Sequence, residues 1–171
     1  MLQLSASFTQ RPILSLRTGG QIATAVQPII NPNNLKIEGF YCLDRFDKKQ
    51  LVLMHTDIRD FTLRGIIVND HEVLSDPADL VRMKDVLKLN FQLLGKPVVT
   101  ISKRKLGKVN DFAADTETLY VQKIYVGQSL IKSFSGGQLG VERTQITEIT
   151  NQKIVIQDPL QGVKAGSPAI A

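Results

Sequence analysis

The sequence predicts an all-β protein in which two small β-barrels stand in tandem, joined by one short α-helix. Three observations lead there: an internal repeat, short runs of β-branched and aromatic residues separated by turn formers, and a single segment with helical spacing and its own N-cap.

The repeat is read residue by residue. Ile58, Thr62, Ile66 and Asp70 recur as Ile146, Thr150, Ile154 and Asp158 at a constant separation of 88, with Asp60 answered by Glu148 and Phe61 by Ile149. A second block matches at a separation of 84, where Leu35, Ile37, Phe40 and Cys42 stand beside Leu119, Val121, Ile124 and Val126. Pro12 and Pro97 open the two copies alike. The change of offset is absorbed by surface turns, where insertions are tolerated: residues 44–49 are longer in the first copy and residues 135–142 in the second.

In chain order the first copy reads as strands 12–17, 21–30, 35–43, 50–55 and 66–69, with a turn over residues 57–61. The second reads as strands 97–102, 106–114, 118–126, 129–134 and 153–157. Asn33-Asn34 and Asp115-Thr116-Glu117 supply hairpin turns. Within the third strand of each copy the apolar phase switches, between Ile37 and Phe40 and between Val121 and Ile124, which calls for a bulge; Gly39 suits that point. Residues 1–8 alternate apolar and polar side chains and read as a strand, not a signal peptide.

The connector begins at Ser75-Asp76-Pro77, an N-cap with proline at the first helical position, and Leu80, Met83 and Leu87 follow at helical spacing. The sequence therefore places a helix over about 77–90, its apolar stripe packed on a barrel and Gly95 ending the segment. The resulting organisation is residues 1–75 as the first barrel, 76–92 as connector, 93–160 as the second barrel and 161–171 as a mobile tail without period.

Residues Leu94-Gly95-Lys96-Pro97-Val98-Val99, Lys105-Leu106-Gly107-Lys108-Val109, Asp115 and Gln145-Ile146-Thr147-Glu148-Ile149 resemble the pattern of the PRC-barrel family. Arg11-Pro12-Ile13-Leu14 and Gly20-Gln21-Ile22-Ala23-Thr24 keep that layout in the first copy, with Ala23 standing where Gly107 stands in the second. The resemblance, over about 10–158, implies a small domain of the kind found in photosynthetic reaction centre H subunits, in ribosome small-subunit maturation factors and in archaeal cell division. It implies binding of a protein or ribonucleoprotein partner, because those uses share a fold and not a chemistry.

The chemistry-bearing residues are few. The lone Cys42 sits in an apolar strand and reads as a small core residue in a reducing, cytoplasmic setting. His55 and His71 lie in no metal-ligand spacing and read as turn or strand-end residues, and Asp44, Asp47, Asp57 and Asp60 read as turn formers. Gly136-Gly137-Gln138-Leu139-Gly140 lacks the lysine and helix of a phosphate cradle and reads as a loop. No paired acid and base can be assembled, so the expectation is a chain that is not an enzyme and takes no cofactor or metal. No run of eighteen apolar residues suggests a membrane span.

What stands out is charge. The formal net charge is +5, yet residues 1–85 hold ten basic and ten acidic side chains, whereas residues 86–171 hold eleven against six. Its densest point is Lys103-Arg104-Lys105 with Lys108 on and after a hairpin turn, the candidate contact for a protein partner or for RNA phosphates, though without aromatic residues between the cations. An uneven positive charge favours an acidic partner and equally serves solubility.

Overall fold

A computed structural model describes residues 1–128 and 138–159. The expected tail, 161–171, lies outside the described residues, as does the whole of the expected strand 129–134.

Fourteen strands and one short α-helix make up the described fold. The first half supplies β2 (Arg11–Ser15), β3 (Gln21–Asn31), β4 (Lys36–Asp44), β5 (Gln50–Met54), β6 (Ile58–Phe61), β7 (Ile66–Val68) and β8 (Leu74–Ser75). The second supplies β9 (Pro97–Thr100), β10 (Lys105–Asp115), β11 (Val121–Gln128), β12 (Leu139–Glu142), β13 (Ile146–Ile149) and β14 (Ile154–Ile156). A short β1 (Leu2–Leu4) precedes them. They form two seven-stranded sheets, one in the order β6-β7-β2-β3-β4-β5-β8, the other in the order β13-β14-β9-β10-β11-β12 with β1 added on β10. Each sheet has one parallel pair, β2 with β7 and β9 with β14, and all its other pairs are antiparallel.

The phase switches are bulges. Ile29 pairs with Gly39 and Ile30 with Ile37, leaving Glu38 as the extra residue, so Ile37, Phe40 and Cys42 all turn into the core despite their uneven spacing. Gln122 is the extra residue of β11, between the pairs of Lys123 and Val121, and Val121, Ile124 and Val126 are likewise buried. At Gly39 a Cβ would run into the carbonyl oxygen of Leu53, so the close approach of β5 requires glycine there.

Several expectations are corrected. The helix expected over 77–90 is two 3-10 turns, Pro77–Asp79 and Val81–Met83, followed by an α-helix α1 of only six residues, Lys84–Leu89. Asp76 does cap the first turn, accepting from the Ala78 amide at 2.9 Å, but Leu80 leaves helical geometry at φ −89°, ψ 76°, and Asn90 at φ +43° ends α1 before Gly95. The apolar stripe still packs on the first sheet, Met83 being buried with Ile29 and Val52 beside Leu80 and Leu87. The segment read as a turn over 57–61 is a 3-10 turn, His55–Asp57, and then β6. Residues 139–142, read as loop, form β12 on the edge of β11, with Val141 in the core. Leu35 and Leu119, read as strand residues, sit in the preceding turns at φ +55° and +59°.

The largest difference concerns the ends of the two halves. Only Leu2–Leu4 of residues 1–8 is a strand, and it pairs with β10 of the second sheet, crossing the boundary drawn at residue 75. A 3-10 turn, Ser5–Phe8, then inserts Phe8 between Phe61 of the first half and Phe112 of the second, ring centroids 5.8 and 6.3 Å away. In the same manner α1 packs on β3 of the first sheet, and Phe91 and Leu93 join the core before the chain enters β9. Each half thus begins with a segment laid on the other. One core cluster runs through both, from Ile13 and Phe40 to Phe112 and Ile154.

Candidate binding surfaces

The predicted basic residues sit on the β9–β10 hairpin. Thr100 organises it: its amide donates to the Arg104 carbonyl and its carbonyl accepts from the Lys103 amide, both at 2.9 Å, while its hydroxyl accepts from the Arg104 amide at 3.1 Å. Lys103 takes φ +66° at the tip. A bulge at Leu106 turns that side chain toward the core and leaves Lys105 and Lys108 exposed, opposite Val99 and Pro97. Lys103, Arg104, Lys105 and Lys108 are all exposed, and among the described residues none makes an ion pair. Lys96, at the start of the hairpin, points elsewhere: its Nζ donates to the Asn151 carbonyl at 2.7 Å and lies 4.8 Å over the Phe91 ring. Four free cations without a stacking ring can hold phosphate or carboxylate by charge alone.

The histidines are more engaged than their sequence context suggests. His71 reaches across the first sheet to pair through Nε2 with Asp44, whose residue is only 2% exposed, and its ring lies 5.7 Å from that of Phe46. It is not merely a solvated turn residue. Burial raises the Asp44 carboxyl, but the amides of Asp47 and Phe46, at 3.0 and 2.9 Å, and the His71 ring outweigh it and bring the pKa down to about 2. His55 is held by Lys36 and Glu38 of β4: Nε2 lies 3.1 Å from Lys36 Nζ, and Nδ1 lies 3.0 Å from the Glu38 carbonyl and 3.6 Å from its carboxylate.

The remaining motifs are structural. Cys42 is buried beside the Phe40 carbonyl, and burial pushes its thiol up to about 12, far from a nucleophile's range. Asp47 closes an Asx turn on the Lys49 amide at 3.0 Å. Asp70 accepts from the His71 amide and the Ser15 hydroxyl, at 2.8 and 3.0 Å, which lowers its pKa. Among the described residues no three of His, Cys, Asp and Glu come together as a metal set, and no helix is long and apolar enough to cross a membrane. Gly136 and Gly137 lie outside the described residues, while Leu139 and Gly140 belong to β12.

The sequence singled out no contact residue at the junction of the sheets. There the two hairpin turns bond to each other reciprocally: the Ile37 amide donates to the Leu119 carbonyl at 2.8 Å and the Val121 amide to the Leu35 carbonyl at 2.9 Å. Both turns are closed alike, Leu35 N–H on the Asn31 carbonyl and Leu119 N–H on the Asp115 carbonyl, each at 2.8 Å. The 84-residue offset of Leu35 and Leu119 was the available signal, but nothing local says that the two turns meet.

Flanking this junction are two hollows, each between the turn of one sheet and the edge strand of the other. The larger, about 500 Å³, lies between Thr116 and Leu119 on one side and Ile58, Arg59 and Phe61 on the other. The smaller, about 300 Å³, lies between Asn33 and Leu35 and the facing Ile146 and Ile149. Arg11 lines the larger; its Nη2 donates to the Thr62 carbonyl, while its buried Nε has no partner.

A scan against models of known protein families finds no match to this chain, and no curated protein matches it at a significant level.

Proposed function

We propose that the chain is a non-catalytic binding or scaffold module, built from two PRC-like barrels and acting in the cytoplasm through protein–protein association. The common strand order of the sheets, with the same single parallel pair in each, supports a duplicated barrel. The observation that carries the binding reading is the larger hollow at the junction. Its volume of about 500 Å³ is that of a ligand pocket, and its wall mixes apolar Ile58, Phe61 and Leu119 with Arg59 and Glu117, the β6 side held by pairing with β7 and the Leu119 side by the reciprocal turn bonds. Preorganised, mixed surfaces of this kind bind without a large ordering cost. The strand pairing supports a division into two barrels, with residues 1–8 laid at the junction.

The test is an affinity pull-down of the whole chain from native lysate, with and without nuclease, beside an Arg59→Glu variant. A reproducible protein partner that survives nuclease and is lost on that substitution is the expected result; no reproducible partner would remove the reading. The unpaired basic hairpin supports one alternative, a ribonucleoprotein assembly factor contacting RNA. In that case partner recovery depends on nuclease, and replacing Lys103, Arg104 and Lys105 by Glu weakens RNA binding and flattens its dependence on salt.

A further inference from the structure

The first sheet carries a second surface, apart from the basic hairpin and adjoining the junction hollow, with which it shares Thr62 and Leu63. A groove of about 490 Å³ runs over the outer face of β2 and β7 between the β2–β3 and β6–β7 turns. Leu14 and Ile67 form its floor, Leu16 and Leu63 its sides, and Arg64 is the one charged residue that lines it. Leu16 is 62% exposed and Leu63 98%.

A single exposed leucine is ordinary, but this display is built. The turn that bears Leu63 and Arg64 is closed by Thr62 N–H on the Gly65 carbonyl at 2.9 Å and by the Thr62 hydroxyl on the same carbonyl at 3.0 Å. Arg11 donates to the Thr62 carbonyl from below. Gly65, at φ +158°, packs so closely on the Pro12 carbonyl that a Cβ would collide with it. The turn therefore holds Leu63 out in water by a fixed backbone.

The second sheet shows that the fold does not require it. There Thr150 N–H donates to the Lys153 carbonyl at 2.9 Å, Thr150 Oγ1 to the same carbonyl at 3.2 Å, and Lys96 to the Asn151 carbonyl. The bonds that close the turn recur, although Lys153 stands where the first turn has Gly65, and the displayed residues are Asn151 and Gln152, both polar. Leu63 and Arg64 are thus a choice of surface.

We propose that this groove docks an acidic amphipathic segment of a partner protein, seating a large apolar side chain between Leu16 and Leu63 and a neighbouring carboxylate on Arg64. Charge complementarity selects this occupant. The lining holds an arginine and no acid, and Arg17, next to Leu16, adds a guanidinium only partly engaged by Asp70 at 3.3 Å. The inference extends the binding-module reading to a second face and names the chemistry of what it binds.

The experiment selects random short displayed peptides on the whole chain and on the double variant Leu63→Asn, Arg64→Gln, which installs the residues that the second sheet tolerates in the same turn. Enrichment of peptides with a large apolar residue beside Asp or Glu, binding the double variant roughly tenfold or more weakly and the Arg59→Glu variant of the junction hollow unchanged, is the result expected. Peptides without that pattern, or with unchanged affinity for the variant, would overturn it. So would binding to phosphatidylglycerol vesicles, or a dimer in sedimentation, that the double substitution abolishes when no such peptide is enriched; the occupant would then be a lipid surface or a second copy. A lysate partner retained by the double variant, with no peptide enriched, removes this face and leaves the binding-module reading standing. Enriched peptides with no partner at the junction support this face and remove the other.

Discussion

The two sheets use one strand order, yet they solve the same positions with different residues, and the differences separate what the backbone demands from what the surface is free to choose. At the bulge between the first two strands, Ile13 pairs with Ala23 in the first sheet and Val98 with Gly107 in the second. Ala23 is fully buried at an ordinary φ, whereas Gly107 takes φ +142° and lies against the Gly127 carbonyl. Asp44, the partner of Ala23, is buried and paired to His71, while Gln128 stands opposite Gly107. At the β6–β7 turn the backbone bonds recur and the displayed side chains change from Leu63 and Arg64 to Asn151 and Gln152. Strand order and the bonds that close the turn are thus shared, while backbone angles differ at Ala23 and Gly107 and the displayed side chains of the turn are free to change.

The sharpest way to break the comparison is at Gly107. Gly107→Ala should cost about 5 kcal/mol, because the residue must leave an unfavourable φ and the β10–β11 pair must separate at Gly127. Ala23→Gly, at the matching place, should cost only about 1 kcal/mol from chain entropy. Urea unfolding of both variants checks it; equal losses would mean that the two bulges are alike after all.

Phe8→Ala comes next, at about 3–4 kcal/mol, since the ring is fully buried between Phe61 and Phe112. The same variant tests whether the halves unfold together. One cooperative transition, seen alike by probes in each half, is expected of a shared core, and two separate transitions would show that they unfold independently.

Acid stability should draw on both sheets, on Asp115 in the second, whose carboxyl the Met1 amino group and the Thr118 amide hold well below the usual range, and on the better buried Asp44 in the first. Asp44 has its folded pKa lowered from 3.8 to about 2, so its contribution is fully present above about pH 4 and is lost as pH falls through about 2. That difference corresponds to about 2 kcal/mol. Asp44→Asn should lower stability at neutral pH by about that amount and flatten its pH dependence between about pH 4 and 2, read from unfolding curves in acid; an unchanged slope would show that the Asp44–His71 pair contributes nothing. The smallest effect is expected of Leu63→Asn with Arg64→Gln. Stability should move by less than about 0.5 kcal/mol in thermal unfolding, because both residues are exposed and the turn's bonds are main-chain or from Thr62 and Arg11.

Much of this fold was legible in the chain. Alternation and β-branching marked most strands, the uneven spacing of Ile37 and Phe40 marked a bulge, and Asp76-Pro77 marked a cap. Sequence overestimated the helix, because Leu80, Met83 and Leu87 hold helical spacing while Leu80 itself leaves helical geometry. It missed β12, because Gly136, Gly137 and Gly140 read as loop where Leu139 and Val141 in fact alternate against β11. Of the candidate surfaces, only the cations of the β9–β10 hairpin were visible beforehand, since four charges close in sequence on one turn need no partner to be recognised.

By itself, then, the sequence determined the elements whose causes are local: strand faces, bulges, turn chemistry, the burial of Cys42 and the uneven charge. The tertiary structure alone decided that Leu35 and Leu119 exchange hydrogen bonds, that residues 1–8 lie on β10, that His71 finds Asp44, and that Leu16 and Leu63 flank one groove. Each of these joins residues far apart in the chain, and no local pattern of apolar or polar residues encodes which distant surfaces meet. Packing of the two halves into one core sets those meetings, and with them the hollows and the groove.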